Sequence, residues 1–398
     1  MHTPASDRLF TPHFFLMCGF SFTVFLSAFQ LLPTAPFHIR DLGGSTAAAG
    51  LFLGLLTYSS AFSAPVTGML ADRFGHRRQL IVSSLLITVF SLVYAVAPSV
   101  PTLLLLVPIH GIVWSGLLSA SAAYLTSILP AHRRSEGIGY WGLSSVVALA
   151  VAPPLGFWIY RRGWLWLCVF AAALNLVMAV IASRLEETRR DHAPGVHGPH
   201  HWIEWRVLVM SAPLFLYSFG YGAVTSFSAV YAEALGVTPH SVYLSTLAVV
   251  VLVSRPFLGP LGDRVGYRKV FLPCLVLMAI GLATLTFADR GSLLVTSAVI
   301  FGLGFGTAYP VFAASVTHAV PAARRGAAFG ALLAAFDTGI GTGSTATGWL
   351  ITHVGFAGAF GVAAALAAAA LPVALLVGRA ASRGGDESVT AQPISDWP

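Results

Sequence analysis

The chain has 398 residues, of which 56% are hydrophobic and only 9% charged, with a formal net charge of +7. An ordinary soluble domain carries roughly 25% charged residues, so this composition cannot coat a water-facing surface, and the apolar surplus faces lipid. The basic residues stand in short clusters between apolar runs, which is how membrane topology is written; a nucleic-acid partner is excluded on that pattern.

A bilayer core about 30 Å thick needs about 20 apolar residues of helix, and lipid offers no partner to an unpaired backbone group, so each long apolar run is read as a helix. Twelve runs fit, at approximately 13–37, 47–70, 79–97, 102–128, 137–159, 164–183, 206–232, 241–261, 270–288, 292–318, 327–353 and 357–378. The first is longer than a signal-peptide core and lacks a small-residue cleavage site, so it is read as a retained helix. With both termini placed in the cytoplasm, only Arg40, Arg161, Arg162 and Arg290 fall outside, while the other arginines between spans fall inside. Cys18, Cys168 and Cys274 are isolated in apolar runs and suggest neither a disulfide framework nor a metal site.

The sixth and seventh runs are separated by the one long polar connector, 184–205, rich in His, Pro and Gly. It is read as a cytoplasmic linker between an N-terminal six-helix bundle, 1–183, and a C-terminal one, 206–380. Its His192, His197, His200 and His201 read as a solvated cluster in preference to a metal site, and the polar tail 381–398 reads as disordered.

The two halves repeat. "GMLADRFGHRR" at Gly68 to Arg78 returns as "GPLGDRVGYRK" at Gly259 to Lys269, an offset of 191 residues. The same offset aligns Pro65 with Pro256, Gly111 with Gly302, "PAHRR" at Pro130 with "PAARR" at Pro321, and Gly139 with Gly330. Two bundles with an even number of crossings share an orientation, which makes them parallel repeats about an axis along the membrane normal. The fold class expected is an all-α membrane protein of twelve transmembrane helices in two parallel six-helix bundles.

Twelve helices in two parallel halves, with that doubled loop, resemble the major facilitator superfamily of secondary transporters, most closely its drug and metabolite exporters of the proton-antiporter type. The loop is similar to the superfamily signature G-x-L-a-D-R-x-G-R/H-R/K-R/K. Its residues have physical roles of their own. Gly68 and Gly259 allow close helix approach, and Gly75 and Gly266 allow a tight turn at positive φ. Asp72 and Asp263 could cap a helix of the opposite half, with Arg73, Arg77, Arg264 and Arg268 adding ion pairs. Together they read as one gating latch per half, against the plainer reading of the arginines as topology signals.

Charges inside a membrane are functional suspects, and two stand out. Asp337 lies about ten residues into the eleventh run, and Arg255 lies on the cytoplasmic half of the eighth. Their depths are compatible with pairing, directly or through water. Two readings stand: Asp337 exchanges a proton as the protein switches, or it belongs to a structural ion pair or hydroxyl network. It opens "FDTGIGTGSTATG", whose Gly339 and Gly343 form a stripe suited to tight packing. His110 is a further candidate for proton coupling, against the commoner role of a hydrogen-bonded core histidine. The resemblance also shows a departure: many proton-coupled exporters carry Arg where this chain has Val107. "ALAVAPPLG" at Ala148 to Gly156 is similar to the antiporter pattern G-x-x-x-G-P-x-x-G with alanine at the two leading glycines, or is a plain proline kink.

The resemblance implies that the first, fourth, seventh and tenth helices line a central cavity. The residues it assigns there are Phe25, Phe29, Gln30, Trp114, Tyr217, Tyr221, Phe305 and Tyr309, with Phe22 beside them, a set suited to an amphipathic or aromatic ligand. The expected function is export of a small organic molecule in exchange for protons; the alternative is an importer or facilitator of a sugar, organic acid or amino acid. No paired catalytic carboxylates, nucleotide loop or Ser/His arrangement points to an enzyme. The expected partners are the substrate, protons and the lipid bilayer, with no cofactor, and the expected state is a monomer in the cell membrane.

Overall fold

The computed structural model describes residues 9–130, 133–187, 205–258, 261–320 and 325–383. Within these, the side chains of Ser135, Trp205, Arg206, Pro256, Asp263, 317–319, 325–327 and 378–383 are not described. Every regular element among the described residues is helical: α1 Pro12–Asp41, α2 Thr46–Phe74, α3 His76–Val96, α4 Val100–Ile128, α5 Arg134–Tyr160, α6 Trp164–Ser183, α7 Trp205–Met210, α8 Ala212–Ala234, α9 Val242–Leu258, α10 Leu261–Val265, α11 Tyr267–Thr286, α12 Gly291–Ala319 and α13 Arg325–Arg383.

These elements carry the twelve expected runs with three differences. The seventh run is split at Ser211, just before Pro213, into α7 and α8. The eighth is shared by α9 and α10. The eleventh and twelfth form one element, α13, whose helical path is broken only at Gly355, with φ 72° and ψ 179°. Nine helices among the described residues are long and apolar enough to cross a membrane, the ninth being the kinked stretch Ala328–Val377. α8 is not among them, because hydroxyl-bearing residues recur along it. Tyr217, Ser218, Tyr221, Thr225, Ser226 and Ser228 are all buried, and a helix shielded from lipid by its neighbours need not be as greasy as one that faces it.

The repeat is visible in the backbone. Among the described residues, six glycines at positive φ form three pairs, Gly43 with Gly236, Gly75 with Gly266, and Gly163 with Gly355, each pair about one repeat apart. The middle pair is nearly superimposable in conformation, with φ/ψ of 98°/137° at Gly75 and 96°/138° at Gly266. The doubled "loop" is therefore a helix–glycine–helix corner: α2 runs to Phe74 and α3 begins at His76, while α10 ends at Val265 and α11 begins at Tyr267. Only glycine takes such a φ without strain. Helix crossings repeat too. A Cβ on Gly111 of α4 would collide with the Leu56 carbonyl oxygen of α2, and one on Gly302 of α12 would meet the Leu247 carbonyl oxygen of α9 at 3.2 Å; Leu56 and Leu247 are again 191 apart.

The chain divides into two compact units. One holds the described residues up to Ser45 and from Leu55 to Glu187; the other holds Thr46–Gly54 and the residues from Trp205 onward. In the first, α1 packs on α5 and α6, and α3 on α4 and α6, around Phe14, Met17, Phe20, Leu80, Ile87, Leu117, Tyr124 and Met178. Polar crossings pin this core: Asn175 Nδ2 donates to Ser91 Oγ at 2.9 Å, and Thr67 and Ser115 share a hydrogen bond of 3.1 Å.

In the second unit α8 packs on α13, α11 on α12 and α13, and α9 on α12. The stripe on α13 works as close-approach surface. A Cβ on Gly339 or Gly343 would strike the carbonyl oxygens of Phe215 and Phe219, and one on Gly222 of α8 would strike that of Ile340. The start of α2 joins this unit for the same reason. Gly50 offers bare backbone, its carbonyl oxygen accepts from Ser344 Oγ at 2.8 Å, and Ser344 Oγ pairs in turn with Ser226 Oγ at 2.7 Å.

Gly343→Val places a branched side chain where the Phe219 backbone lies, and overpacking of this kind costs about 1–3 kcal/mol. Its thermal midpoint in detergent is expected to fall measurably, while Gly19→Ala, at a helical site with nothing within 4 Å of the added carbon, is expected to leave it no lower, since alanine is the better helix former.

Candidate functional site

The first corner is held from within its own unit. Asp72 Oδ1 lies 3.3 Å from His76 Nε2, one helical turn on, and the Asp72 side chain is 78% exposed. Arg73 lies over the Phe74 ring. Arg77 Nη2 donates to the Ser183 carbonyl oxygen at 2.7 Å, so its guanidinium caps the last turn of α6, where unpaired carbonyls and the negative end of the helix dipole favour a cation. The residues after α6 continue the grip. Leu185 is buried in the core cluster, Tyr124 Oη donates to the Glu186 carbonyl oxygen at 3.0 Å, His13 Nε2 lies 3.8 Å from Glu186 Oε1, and the Glu187 carboxylate occupies the space that a Cβ on Gly75 would take. The start of the linker is thus a strap fastened across α1, α3 and α4.

Two of the expected roles are not seen within this unit. Among the described residues nothing lies within 4 Å of a Cβ built on Gly68. The described partner of Asp72 is His76 of its own corner, because the helical spacing of four residues brings the two side chains onto one face. Arg77 reaches Ser183, a target with no signal in the loop sequence itself. In the second corner, Gly259 and the Asp263 side chain lie outside the described residues, as do His192, His197, His200 and His201 of the linker; Arg264 and Arg268 are exposed, and Gly266 makes the turn.

In the first unit the rings of Phe25 and Phe29 stack at 5.7 Å, and Phe25 meets Trp114 edge-on at 6.2 Å. Gln30 follows Phe29 on α1 and is fully buried. His110 lies apart from this group: it is buried, stacked on Phe90 at 5.5 Å, and its Nδ1 is 3.1 Å from Tyr94 Oη. Trp164 Nε1 donates to the Tyr94 carbonyl oxygen at 2.8 Å, which fixes Tyr94 and through it the imidazole. These contacts are those of a core histidine.

In the second unit Tyr217 and Tyr221 of α8 and Phe305 and Tyr309 of α12 form one aromatic cluster. Tyr221 stacks on Phe305 at 4.1 Å, and Tyr217 meets Phe305 edge-on at 6.4 Å. The ring that joins them was missed in the sequence. Phe336 of α13 lies 4.9 Å from Tyr309, 6.3 Å from Phe305 and 6.5 Å from Tyr221; its one signal was adjacency to Asp337. Tyr217 Oη is buried without a hydrogen-bond partner. Phe305, Tyr309, Phe336 and Asp337 are all partly exposed, so one side of the cluster is accessible, and the Asp337 carboxylate is close enough to act electrostatically on Tyr309.

Arg255 is half-buried on α9, and among the described residues no ion pair joins it to Asp337. Depth does not separate the two. Gly302 meets Leu247 and Gly306 meets Val251, a register that carries on to set Arg255 level with Pro310, beside Tyr309. What separates them is lateral packing: α9 packs chiefly on α12, while α13 packs chiefly on α8 and α11. The sequence gives depths compatible with pairing, but not the choice of neighbouring helices.

Repeated bundles of membrane-crossing helices, with polar and aromatic side chains clustered inside each bundle, define a membrane transporter. The Major Facilitator Superfamily model matches residues 15–251 and 214–397, and the chain belongs to that family. An uncharacterized MFS-type transporter of Pseudomonas aeruginosa is 25% identical over 390 residues, covering 92% of this chain and 93% of the relative. The multidrug export protein EmrB of Haemophilus influenzae is 29% identical over 171 residues, covering 43% of this chain and 33% of EmrB. Among solved structures, a bacterial homolog of the human lysosomal transporter Spinster, in an inward-facing and occupied conformation, matches with a TM-score of 0.74 at 16% identity, covering 95% of this chain and 98% of that one.

Gly75→Ala meets both an unfavourable φ and the Glu187 carboxylate, and strain of this kind costs about 1–3 kcal/mol. Gly68→Ala sits in open helix, where alanine is favoured over glycine by up to about 1 kcal/mol. Thermal unfolding of the two variants in detergent is therefore expected to shift in opposite directions; equal shifts would show that the corner is not held as described.

Proposed function

We propose that this transporter exports a small amphipathic or aromatic organic molecule by alternating access, in exchange for protons. The observation that carries this reading is Asp337, a carboxylate within a membrane span, partly accessible and set beside the accessible aromatic rings of Phe305, Tyr309 and Phe336. A carboxylate there gains and loses a proton as its surroundings change from wet to dry, and aromatic faces suit an amphipathic ligand. The likeness to a multidrug export protein, over less than half of this chain, supports the outward direction. Arg255, at the same depth, tunes the field around the carboxylate, and His110 is a secondary candidate for coupling. The protein works as a monomer in the cell membrane with both termini cytoplasmic.

The two corners act as cytoplasmic latches in this scheme. Asp72, Arg73 and Arg77 in one half, and Asp263, Arg264 and Arg268 in the other, bias the equilibrium between openings by contacts available in only one state. Gly68, Gly75, Gly259 and Gly266 shape the segments that carry them. A second reading, an importer or facilitator, is favoured by Val107, which stands where many proton-coupled exporters place an arginine.

In proteoliposomes with an imposed pH gradient, Asp337→Asn is expected to abolish gradient-driven accumulation while leaving downhill flux measurable. If the variant still concentrates substrate, another group carries the proton. Asp72→Asn is expected to slow turnover and leave ligand affinity nearly unchanged; transport at the wild-type rate would remove the latch from the mechanism.

A further inference from the structure

Gln30 is fully buried on α1, and among the described residues neither its Nε2 nor its Oε1 has a hydrogen-bond partner. Several buried hydroxyls in this chain solve that problem within their own helix: Thr34 Oγ1 donates to the main-chain carbonyl oxygen of Gln30 at 2.7 Å, and Ser91 Oγ to that of Ile87 at 3.0 Å. A carboxamide brings two donors and an acceptor on a longer arm and is harder to satisfy in this way. The other buried carboxamide, Asn175, has its nitrogen on Ser91 Oγ at 2.9 Å.

α5 packs closely on Gln30. A Cβ on Gly156 would lie 2.7 to 2.9 Å from the Cβ, Cα and carbonyl oxygen of Gln30, so α5 closes on the residue with bare backbone and offers no side chain in return. Ala152 and Ala148, one and two turns earlier, continue this wall against Leu26, with Phe22, Phe25, Phe29 and Leu155 packed on it. The "ALAVAPPLG" stretch therefore does more than kink a helix: it seats α5 directly on the backbone and Cβ of Gln30 and presents a smooth apolar face beside it. The equivalent position in the second half, 191 residues on, is Tyr221, which carries a phenol in place of the amide. The carboxamide at this position is a feature of the first half alone.

We propose that the Gln30 carboxamide is a recognition edge for the transported molecule. It reads a planar group that presents a hydrogen-bond donor and acceptor side by side, as a lactam, cyclic urea or primary carboxamide does, on a ring held by Phe25 and Phe29. A site with buried polar groups discriminates strongly against an analogue that leaves them unmet. None of the residues named around this amide is charged, so the edge it complements is neutral. The inference rests on the reading of Phe25, Phe29, Gln30 and Trp114 as substrate contacts. Sealed in this conformation, the amide is reached in one that parts α1 from its neighbours, as loading by alternating access requires.

The test uses the full-length chain in detergent and two probes that differ only at the edge, 2-quinolinone and N-methyl-2-quinolinone, with affinities read by tryptophan fluorescence. The wild type is expected to bind the unmethylated lactam about tenfold more tightly, equivalent to about 1.4 kcal/mol. Gln30→Met, of similar volume, is expected to bind both probes as the wild type binds the methylated one. Phe29→Ala is expected to weaken both equally and keep the ratio. Equal affinity of the two probes for the wild type, or a ratio that survives in Gln30→Met, overturns the recognition edge and leaves aromatic export standing. Binding of neither probe overturns both.

Discussion

Lipid exerts no hydrophobic pressure on a helix to leave it, so helices in a bilayer are held together by what their surfaces do at close range. In this protein that range is set by glycine. Gly111 against the Leu56 carbonyl and Gly343 against that of Phe219 are places where a side chain on one helix would occupy backbone atoms of another, and Gly302 lies in tight contact with the Leu247 carbonyl. Contact at that distance recovers the dispersion energy that a Leu–Leu interface would share equally with lipid tails. Polar groups supply the rest, mostly hydroxyls bonded back within their own helices, with a few crossings such as Asn175 to Ser91 and Ser344 to Gly50.

Because the skeleton is built from backbone contacts, it tolerates a duplication with little sequence left in common. Gly75 with Gly266 at a corner and Gly111 with Gly302 at a crossing keep the 191-residue offset, as do the latch residues Asp72 with Asp263 and Arg77 with Arg268, while the candidate residues for proton coupling and Gln30 break it. Asp337 answers to Val146, Arg255 to Ala64, His110 to Phe301 and Gln30 to Tyr221. A packing position has one solution in both halves, since the same helix pair must close to the same distance. A ligand or proton site is needed once, so the second copy of each position is free to diverge into an apolar or differently polar residue. Departure from an internal repeat is then a pointer to chemistry in its own right.

The first corner shows how a short charged segment can serve more than one end. Arg77 caps the last turn of α6, and Glu187 rests where Gly75 has no side chain. The strap that follows α6 is thereby fastened to the segment whose glycine and aspartate suggested a gate. Any change at that corner is transmitted to the start of the linker through bonds that are local to one unit.

Composition and periodicity by themselves determined the membrane-crossing helices, the repeat, the corners at Gly75 and Gly266, and the placing of Asp337 and Arg255 within membrane-crossing runs. Each follows from a local rule, whether hydropathy over about 20 residues, the steric freedom of glycine, or a fixed rise per residue. What only the tertiary structure decided is who meets whom: Arg77 with the Ser183 carbonyl at the end of α6, Phe336 as the ring that completes the aromatic cluster, α9 packed chiefly on α12 while α13 packs chiefly on α8 and α11, and the start of α2 packed with the second unit. Those pairings depend on the rotation and register of helices distant in the chain, and side chains leave a helix in every direction, so no spacing along the sequence specifies them.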